Sequence, residues 1–344
     1  MLALRLDEFA SIIGGRPVGD GSIEVVGVCP PHEPAEGHVI FWRSRGPLGV
    51  SVGPAGLVAL KGLVRPPLWG VEVEDLDGAW VRALECFDPP LEFQGLHPTA
   101  VIHPEASIGM GVHVGPYCVV EQGAVVEDGA WLQAFVYVGR MARIGAGSVL
   151  QAFSVVQDRC EVGAHCRIHS CAVVGCDGFG FVEGADGERI KVPQIGIAVL
   201  GDRVEMGSCS TVDRATVGAT RVMEGVKMDD HVHVAHNCEI GPNSVLVAYS
   251  GVAGSARLGR SVVMAAQSGV RDHVTVGDRC VIAARGGVVK DLPAGSFVSG
   301  FPARDHREEL RLQGLVRRLP DLLERLKALE ARVRDLESRR GDGA

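Results

Sequence analysis

Residues 101–126 read VIHPEASIGMGVHVGPYCVVEQGAVV, and an aliphatic residue recurs at every sixth position of this stretch. The spacing continues through three runs of the chain, which are Ile102, Ile108, Val114, Val120, Val126, Leu132, Val138, Ile144, Leu150, Val156, Val162, Ile168 and Val174, then Leu200, Met206 and Val212, then Val222, Met228, Val234, Ile240, Leu246, Val252, Leu258, Met264, Val270, Val276, Ile282 and Val288. A period of six fits neither an α-helix nor an isolated strand, but it is typical of a β-solenoid built from hexapeptides. We therefore predict a mainly β protein whose coils each contain three hexads and form a triangular prism.

The position two residues before the aliphatic is small in most hexads. It holds Ala106, Cys118, Ala124, Ala130, Ala142, Ser148, Ser154, Cys160, Cys166 and Ala172. Residues two apart on a strand share a face, so each hexad should direct one large and one small side chain inward. Glycine often follows the aliphatic, and we expect it there because glycine tolerates the positive φ of tight corners. Together the runs predict roughly nine coils and about 45 Å of rise.

Composition excludes several classes of protein. The chain has 344 residues and a net charge of −8, which argues against nucleic acid as the main partner. It has ten cysteines but no C-x-x-C pair, and half of them occupy the small inward position, where a free thiol behaves as a small hydrophobe. No apolar run is long enough to span a membrane, and the first residues contain acids where a signal peptide is apolar. A cytoplasmic location is expected.

The pattern divides the chain into three parts. Residues 1–95 lack the hexad and mix an amphipathic helix with short apolar runs, which predicts a small α/β domain. Residues 98–300 form the solenoid. Residues 303–340 have a helical pattern that Pro320 interrupts. The heptad positions that follow, suited to packing helices of neighbouring subunits, are Leu322, Leu326, Leu329, Val333 and Leu336.

Two features interrupt or follow the repeat. The interval from Val174 to Leu200 is not a multiple of six, so residues 175–196 must leave the prism as a loop, GCDGFGFVEGADGERIKVPQIG. A second break in the six-residue spacing falls between Val212 and Val222.

The helix after the solenoid is basic within an acidic protein, and its basic side is either a solvated face or a docking surface for an acidic partner. Its basic residues are Arg304, Arg307, Arg311, Arg317 and Arg318.

The phase of the repeat brings chemically useful groups to one edge. His236 comes two residues after an inward valine, at a corner of the prism, and Gly254 stacks above it one coil of 18 residues later. One further coil on stand Asp272 and His273. A general base and a backbone N–H that can bind an oxyanion are the least that an acyl transfer site requires. The alternative interpretation is that these are surface histidines without a function, which would fit the same spacing.

A zinc site is the alternative reading of the H-x-H-x-x-H spacing of His231, His233 and His236. The rings of His231 and His233 project from a different face of the prism than the ring of His236, so the three are poorly placed to bind one zinc ion. We predict neither a metal nor a resident cofactor.

Four motifs in combination resemble a known enzyme family. They are the loop Gly175-CDGFGF, the stretch Lys191-VPQIG, the element Thr211-VDR and Met228-DDHVHVAHNCEIG. Over about residues 98–310 the chain resembles the UDP-3-O-acylglucosamine N-acyltransferases of lipid A biosynthesis. The resemblance implies a left-handed β-helix, a homotrimer and an N-terminal domain that binds uridine. It also implies transfer of a 3-hydroxyacyl chain from acyl carrier protein, which holds it on phosphopantetheine, to the 2-amino group of a UDP-3-O-acylglucosamine.

The same resemblance assigns roles to residues of this chain. His236 is the general base, Gly254 offers its N–H to the oxyanion, and His273 is a secondary histidine of the site. The substrate-binding residues it implies are Asp229, Asn237, Phe41, Phe179, Phe181, Lys191 and Gln194. Gly286 and Gly287 stand where the family blocks its acyl groove, and two glycines predict room for a long chain.

The N-terminal domain departs from the family pattern. The family stacks uracil with F-x-x-N-x-x-Y; here Phe41 is retained, but Ser44 replaces the Asn and Pro47 replaces the Tyr. Trp42 is a candidate substitute face. Three alternatives follow: an O-acyltransferase acting on UDP-N-acetylglucosamine, an acyltransferase for another amino sugar, and a trimeric scaffold without catalysis. The first of these families lacks both the N-terminal domain and the DGFGF loop.

Overall fold

The computed structural model describes residues 3–43, 53–65, 67–88 and 95–341, with side chains up to residue 334. The chain divides into two compact units, Met1–Glu92 and Phe93–Ala344.

The first unit is a small α/β domain. Its five-stranded sheet has the order Gly15–Val18, Gly70–Val73, Gly56–Leu60, His38–Phe41 and Gly27–Val28, parallel except for the antiparallel first pair. Leu4–Arg5 and Glu24–Val25 form a separate pair. Helices α1 (Leu6–Ile13) and α2 (Leu76–Phe87) cover the sheet, and α1 ends at Gly14, whose φ of 74° places it in the left-handed region.

The second unit contains the predicted solenoid, a left-handed parallel β-helix. Nearly all of its strands are two residues long and form three parallel sheets, one for each face of a triangular prism. The first face contains Val101–Ile102, Val119–Val120, Tyr137–Val138, Val155–Val156, Val173–Cys176, Thr211–Asp213, His233–Val234, Gly251–Val252, Gly269–Val270 and Gly287–Val288. The second face contains Ser107–Ile108, Val125–Val126, Arg143–Ile144, Glu161–Val162, Ile197–Leu200, Ala219–Val222, Glu239–Ile240, Arg257–Leu258 and Thr275–Val276. The third face contains His113–Val114, Trp131–Leu132, Val149–Leu150, Arg167–Ile168, Glu205–Met206, Lys227–Met228, Val245–Leu246, Val263–Met264, Val281–Ile282 and Phe297–Ser299.

The inward residues of the hexads form one continuous core along the prism. The large positions, such as Ile144, Leu150 and Ile240, are fully buried, and so are small ones such as Cys160 and Cys238. Strands of successive coils pair in register, so equivalent residues stack on one another. This stacking lets the phase of the sequence locate each side chain on a face or corner.

The expected role of the glycines after the aliphatic residues was wrong. Positive φ occurs two positions later, mostly at non-glycine residues such as Tyr117 and Asn237. Gly115 and Gly241 are instead required for space. A Cβ on Gly115 would lie 2.8 Å from the backbone of Gln133 in the next coil, and one on Gly241 would lie 2.4 Å from the next coil's backbone.

The two interruptions and the C-terminal segment complete the unit. From Val173–Cys176 the chain leaves the prism, forms the hairpin Phe181–Glu183 and Arg189–Lys191, and returns at Ile197–Leu200. We call residues 175–196 the excursion. After the last coil, Arg304–Asp305 pairs antiparallel with Phe297–Ser299, and helix α3 (His306–Gly341) runs through Pro320 without ending there. In the described part of the chain, none of the helices has the length and apolar character needed to cross a membrane.

Candidate active site

His236 lies at the corner between the first and second faces, which we call the catalytic corner. Its imidazole packs directly against Gly254 of the next coil: a Cβ on Gly254 would lie 2.7 Å from Cε1 and 2.8 Å from Nε2. The backbone register is held by Ser255, whose N–H donates to the His236 carbonyl at 2.9 Å. Only glycine leaves the space that the ring occupies.

Asn237 selects the tautomer of the His236 ring. Its Oδ1 accepts from the Thr216 N–H at 3.1 Å, and its Nδ2 donates to the Val217 carbonyl at 3.1 Å. The same Oδ1 lies 3.2 Å from His236 Nδ1, so Nδ1 must be the donor of that hydrogen bond. Nε2 is therefore the nitrogen with a lone pair, as a general base requires.

The excursion folds back over the catalytic corner. A Cβ on Gly178 would lie 2.7 Å from His236 Cβ and 2.7 Å from Gln194 Oε1, so the DGFGF segment packs against the imidazole. Gln194 is only 7% exposed, donates to the Val192 carbonyl at 3.0 Å and accepts from Thr216 Oγ1 at 3.0 Å. The structure therefore places Gln194 beside His236 as a buried brace of the loop.

The aromatic side chains of the excursion are exposed to solvent. Phe179 is 86% exposed and meets Phe181 edge-on, with ring centroids 5.0 Å apart. Lys191 lies 5.7 Å from the Phe181 ring and pairs with Asp177 at 3.0 Å. Phe179, Phe181 and Arg189 line a cavity of about 420 Å³. The hairpin thus presents two rings and two cations beside the catalytic corner.

The backbone N–H of Gly254 is unused within the described ranges. At equivalent corners, Met110, Arg140 and Arg260 each donate this N–H to an aspartate of the next coil. The equivalent of those aspartates above Gly254 is Asp272, whose Oδ1 instead accepts from Arg271 Nε at 3.3 Å. The N–H is therefore available for an oxyanion.

His273 stacks one coil above Ser255 on the same edge. Its N–H donates to the Gly254 carbonyl at 3.1 Å, and its side chain is exposed. It stands two coils, or about 10 Å, from His236, too far for direct contact within one chain.

Asp213 was not among the predicted site residues. It is 4% exposed at the end of its strand, one coil below His236. Its Oδ1 accepts from Cys176 Sγ at 3.2 Å, and its Oδ2 lies 3.7 Å from His233 Nε2. Burial raises the pKa of the Asp213 carboxyl, against the opposite influence of the thiol and the imidazoles of His233 and His236. Burial likewise raises the pKa of the Cys176 thiol to about 12.

His231 and His233, which the spacing placed together and apart from His236, have different partners. His233 Nδ1 lies 2.7 Å from Thr211 Oγ1, whereas His231 stacks on Tyr249 with ring centroids 4.8 Å apart.

Asp229 lies elsewhere in the same chain. It follows Met228 of the third face, so the width of the first face separates it from the catalytic corner. Its carboxylate accepts from the N–H groups of Asp230 at 2.8 Å and Ala248 at 3.1 Å. Within one copy of the chain, the structure does not bring Asp229 and His236 together.

Phe41 is buried in the first unit. It is 8% exposed and packs edge-on against Trp80 at 4.9 Å between centroids, so its ring offers no open stacking face. Ser44 and Pro47 lie outside the described residues.

Gly286 and Gly287 face different environments. Gly286 occupies a buried inward position, where a Cβ would lie 2.9 Å from the Ala283 carbonyl. Gly287 points outward, and the Phe301 ring fills the space beside it. Below it on the first face, Gly251 and Gly269 have open space where a side chain would stand. The three outward glycines form a track that ends at Phe301, a residue that the spacing alone did not single out.

The sequence and the fold of the chain are similar to those of known proteins. A family model described as the GMPPB C-terminal domain matches residues 94–224. The chain is 39% identical over 330 residues to the UDP-3-O-acylglucosamine N-acyltransferase of Anaeromyxobacter sp. (strain Fw109-5), covering 93% of this chain and 94% of that one. It is 55% identical over 156 residues to the protein of that name from Chlorobium chlorochromatii (strain CaD3), 45% of this chain and 44% of the relative. The Arabidopsis UDP-N-acetylglucosamine acyltransferase structure superposes with a TM-score of 0.53 at 25% identity, covering 64% of this chain and 77% of that one.

Proposed function

The chain belongs to the UDP-3-O-acylglucosamine N-acyltransferase family, and on this premise we propose that it transfers a 3-hydroxyacyl chain from acyl carrier protein to the 2-amino group of a UDP-3-O-acylglucosamine. The reaction is a step of lipid A biosynthesis. The observation that carries the proposal is the His236 imidazole, held by Asn237 and packed against Gly254, with no hydrogen-bond partner for His236 Nε2 or the Gly254 N–H among the residues that the structure describes.

These groups suffice for the reaction. His236 Nε2 takes a proton from the acceptor amine as the nitrogen attacks the thioester carbonyl. The oxyanion that forms accepts from the Gly254 N–H. When the intermediate collapses, the C–S bond breaks and the leaving thiolate of the carrier takes the proton from His236. Holding both substrates in one cleft supplies much of the remaining acceleration.

The acyl chain has a candidate path on the first face. The track of Gly251, Gly269 and Gly287 starts beside the catalytic corner and offers a floor of backbone without side chains. Phe301 stands at its far end. We assign this track to the acyl group, with Phe301 as its end wall.

The donor is a protein, and the reaction needs no resident cofactor. Acyl carrier proteins are acidic, and the start of helix α3 is basic. Five arginines, one just before the helix and four in its first half, are exposed, and within the described residues none of the five forms an ion pair with a carboxylate. These are Arg304, Arg307, Arg311, Arg317 and Arg318. We assign the docking of the carrier to this surface.

A homotrimer would complete the site. The corner between the third and first faces, which we call the apolar corner, has stacked and exposed rings of Tyr117, Phe135 and Phe153, with centroids 5.1 and 4.8 Å apart. Asp229 lies on the same corner higher up the prism. If the apolar corner of one copy packs beside the catalytic corner of the next around a threefold axis, Asp229 of the first copy faces His236 of the second. This supports an acceptor site built from two copies.

Acyl transfer itself tests the function. Purified protein is incubated with 3-hydroxyacyl carrier protein and UDP-3-O-acylglucosamine, and the N-acylated product is measured. His236→Ala should lose activity by several orders of magnitude, while Asp202→Asn, at a corner remote from the site, should retain it. An inactive wild type, or an active His236→Ala, contradicts the proposal.

A further inference from the structure

Asp213 is the one carboxylate with so little exposure among the residues that the structure describes. A buried carboxylate is costly unless a permanent cation or several donors compensate it. Its direct partners are a thiol, which is a weak donor, and the His233 ring at 3.7 Å. The compensation is therefore incomplete, and stability alone does not explain the residue.

The neighbouring permanent charges are engaged elsewhere. Arg214 follows Asp213 and is also buried, but its guanidinium donates to the carbonyls of Gly175 at 2.8 Å and Asp158 at 3.3 Å. Asp177 of the excursion pairs with Lys191 at 3.0 Å and lies 3.9 Å from Arg214. The groups left to compensate the negative charge of Asp213 are the imidazoles of His233 and His236.

The register puts those imidazoles on either side of Asp213. Val212 pairs with Val234, so Asp213 lies directly below Ala235, with His233 before that residue and His236 after it. His233 is tied to Thr211, and its ring points along the face. His236 is the group that gains a positive charge during the reaction.

We propose that Asp213 is a positioning residue for the transfer reaction: its buried carboxylate stabilises the imidazolium that His236 becomes when it takes the amine proton. Asn237 is neutral and selects the tautomer, whereas Asp213 provides the negative charge. The low polarity of its surroundings strengthens the attraction, since water does not screen it. The excursion, through Cys176 and Gly178, both buries the carboxylate and packs on the ring.

The inference rests on the proposed function, so its main test does not use the reaction. His236 is titrated by NMR in full-length protein labelled at histidine Cε1, with the signal assigned through His236→Gln. In Asp213→Asn, which keeps the shape and an acceptor for Cys176, the pKa of His236 should fall by about one pH unit. Asp202→Asn, which removes an exposed aspartate between the second and third faces, should leave the titration unchanged.

The second readout is the pH dependence of kcat. The acidic limb of the Asp213→Asn profile should move down by the same amount, and the plateau should drop on the order of tenfold because the base is weaker. KM should change little, and the unfolding midpoint should not fall, because a buried charge has been removed. An unshifted His236 titration overturns the inference even if the enzyme is active. A shifted titration in a protein without transferase activity overturns the proposed function instead.

Discussion

Gly254 lies one coil below Asp272, and its N–H has no acceptor within the described ranges, although Asp272 holds the position from which aspartates accept this N–H at other corners. The difference is Arg271, which holds the Asp272 carboxylate at 3.3 Å. Both side chains of the pair are exposed. An ion pair of this kind contributes little to stability, but here it keeps a catalytic donor unoccupied.

Removal of Arg271 should therefore slow the reaction. In Arg271→Ala, the Asp272 carboxylate is free to turn onto the Gly254 N–H, so kcat should fall on the order of tenfold, less than complete loss of an oxyanion donor. KM should change little. Steady-state kinetics measure both constants.

A double variant tests whether the Asp272 carboxylate causes the loss of kcat. Arg271→Ala combined with Asp272→Ala should recover most of the lost kcat, because no carboxylate remains to occupy the N–H. Arg257→Ala, which removes an exposed arginine of the second face paired with Glu239 at 3.9 Å, is the matched control. If the double variant stays as slow as the single one, Arg271 acts in another way.

The fold could be predicted from the sequence because strands of successive coils pair in register, so that equivalent positions of the hexads stack on one another. His236 and Gly254 meet as their 18-residue spacing predicts, since successive coils pair without a shift at this point. The same phase would have placed Asp229 on a different corner, because Met228 belongs to the third face. The linear proximity of Asp229 and His236 concealed this.

Asp213 shows where the sequence is insufficient. Its position after an inward valine predicts only an outward polar residue. Its burial depends on the excursion, whose path has no period and depends on contacts such as that between Gly178 and His236. The one local signal was the slip of the repeat directly after Val212.

Mixed trimers should restore activity to inactive variants. If each site takes His236 from one copy and Asp229 from the next, His236→Ala and Asp229→Ala proteins are each inactive alone. Co-expressed and freed of homotrimers, they should reach about a third of wild-type activity, because one of the three interfaces in each mixed trimer combines both intact residues. Differently tagged chains purified in tandem allow the measurement. Activity that never exceeds the sum of the two variants alone contradicts a shared site.

Disruption of the apolar corner should prevent assembly. Phe135 stacks between Tyr117 and Phe153, so Phe135→Asp would place a carboxylate in the middle of the proposed interface, at a cost of several kcal/mol. Light scattering should show mass below that of a trimer. Ser107→Asp on the exposed second face should leave the mass unchanged. A trimeric Phe135→Asp protein would assign the interface to another surface.

The end wall of the glycine track should limit acyl length. Phe301→Ala removes the ring that covers Gly287, so longer 3-hydroxyacyl carriers should gain relative to the wild-type preference. Competition between carriers of two lengths in one reaction measures the ratio. Phe297→Ala, a neighbouring ring that stacks on His306 instead, is the control. An unchanged ratio in Phe301→Ala removes the track from the acyl path.

Alkaline pH should destabilise the prism through its buried thiols. Burial raises the pKa of Cys238 to about 11, from an ordinary thiol value of 9.0. Between these values the unfolded chain loses a proton that the folded chain retains, so this contribution is fully present below pH 9 and is lost as the pH rises towards 11. Cys238→Ala should flatten the decline of the melting temperature over that window, because alanine fits the same inward position elsewhere, as at Ala124 and Ala142. Cys171→Ala, at an exposed thiol, should show the wild-type decline. Equal slopes for the two variants would show that Cys238 ionises on unfolding no differently from an exposed thiol.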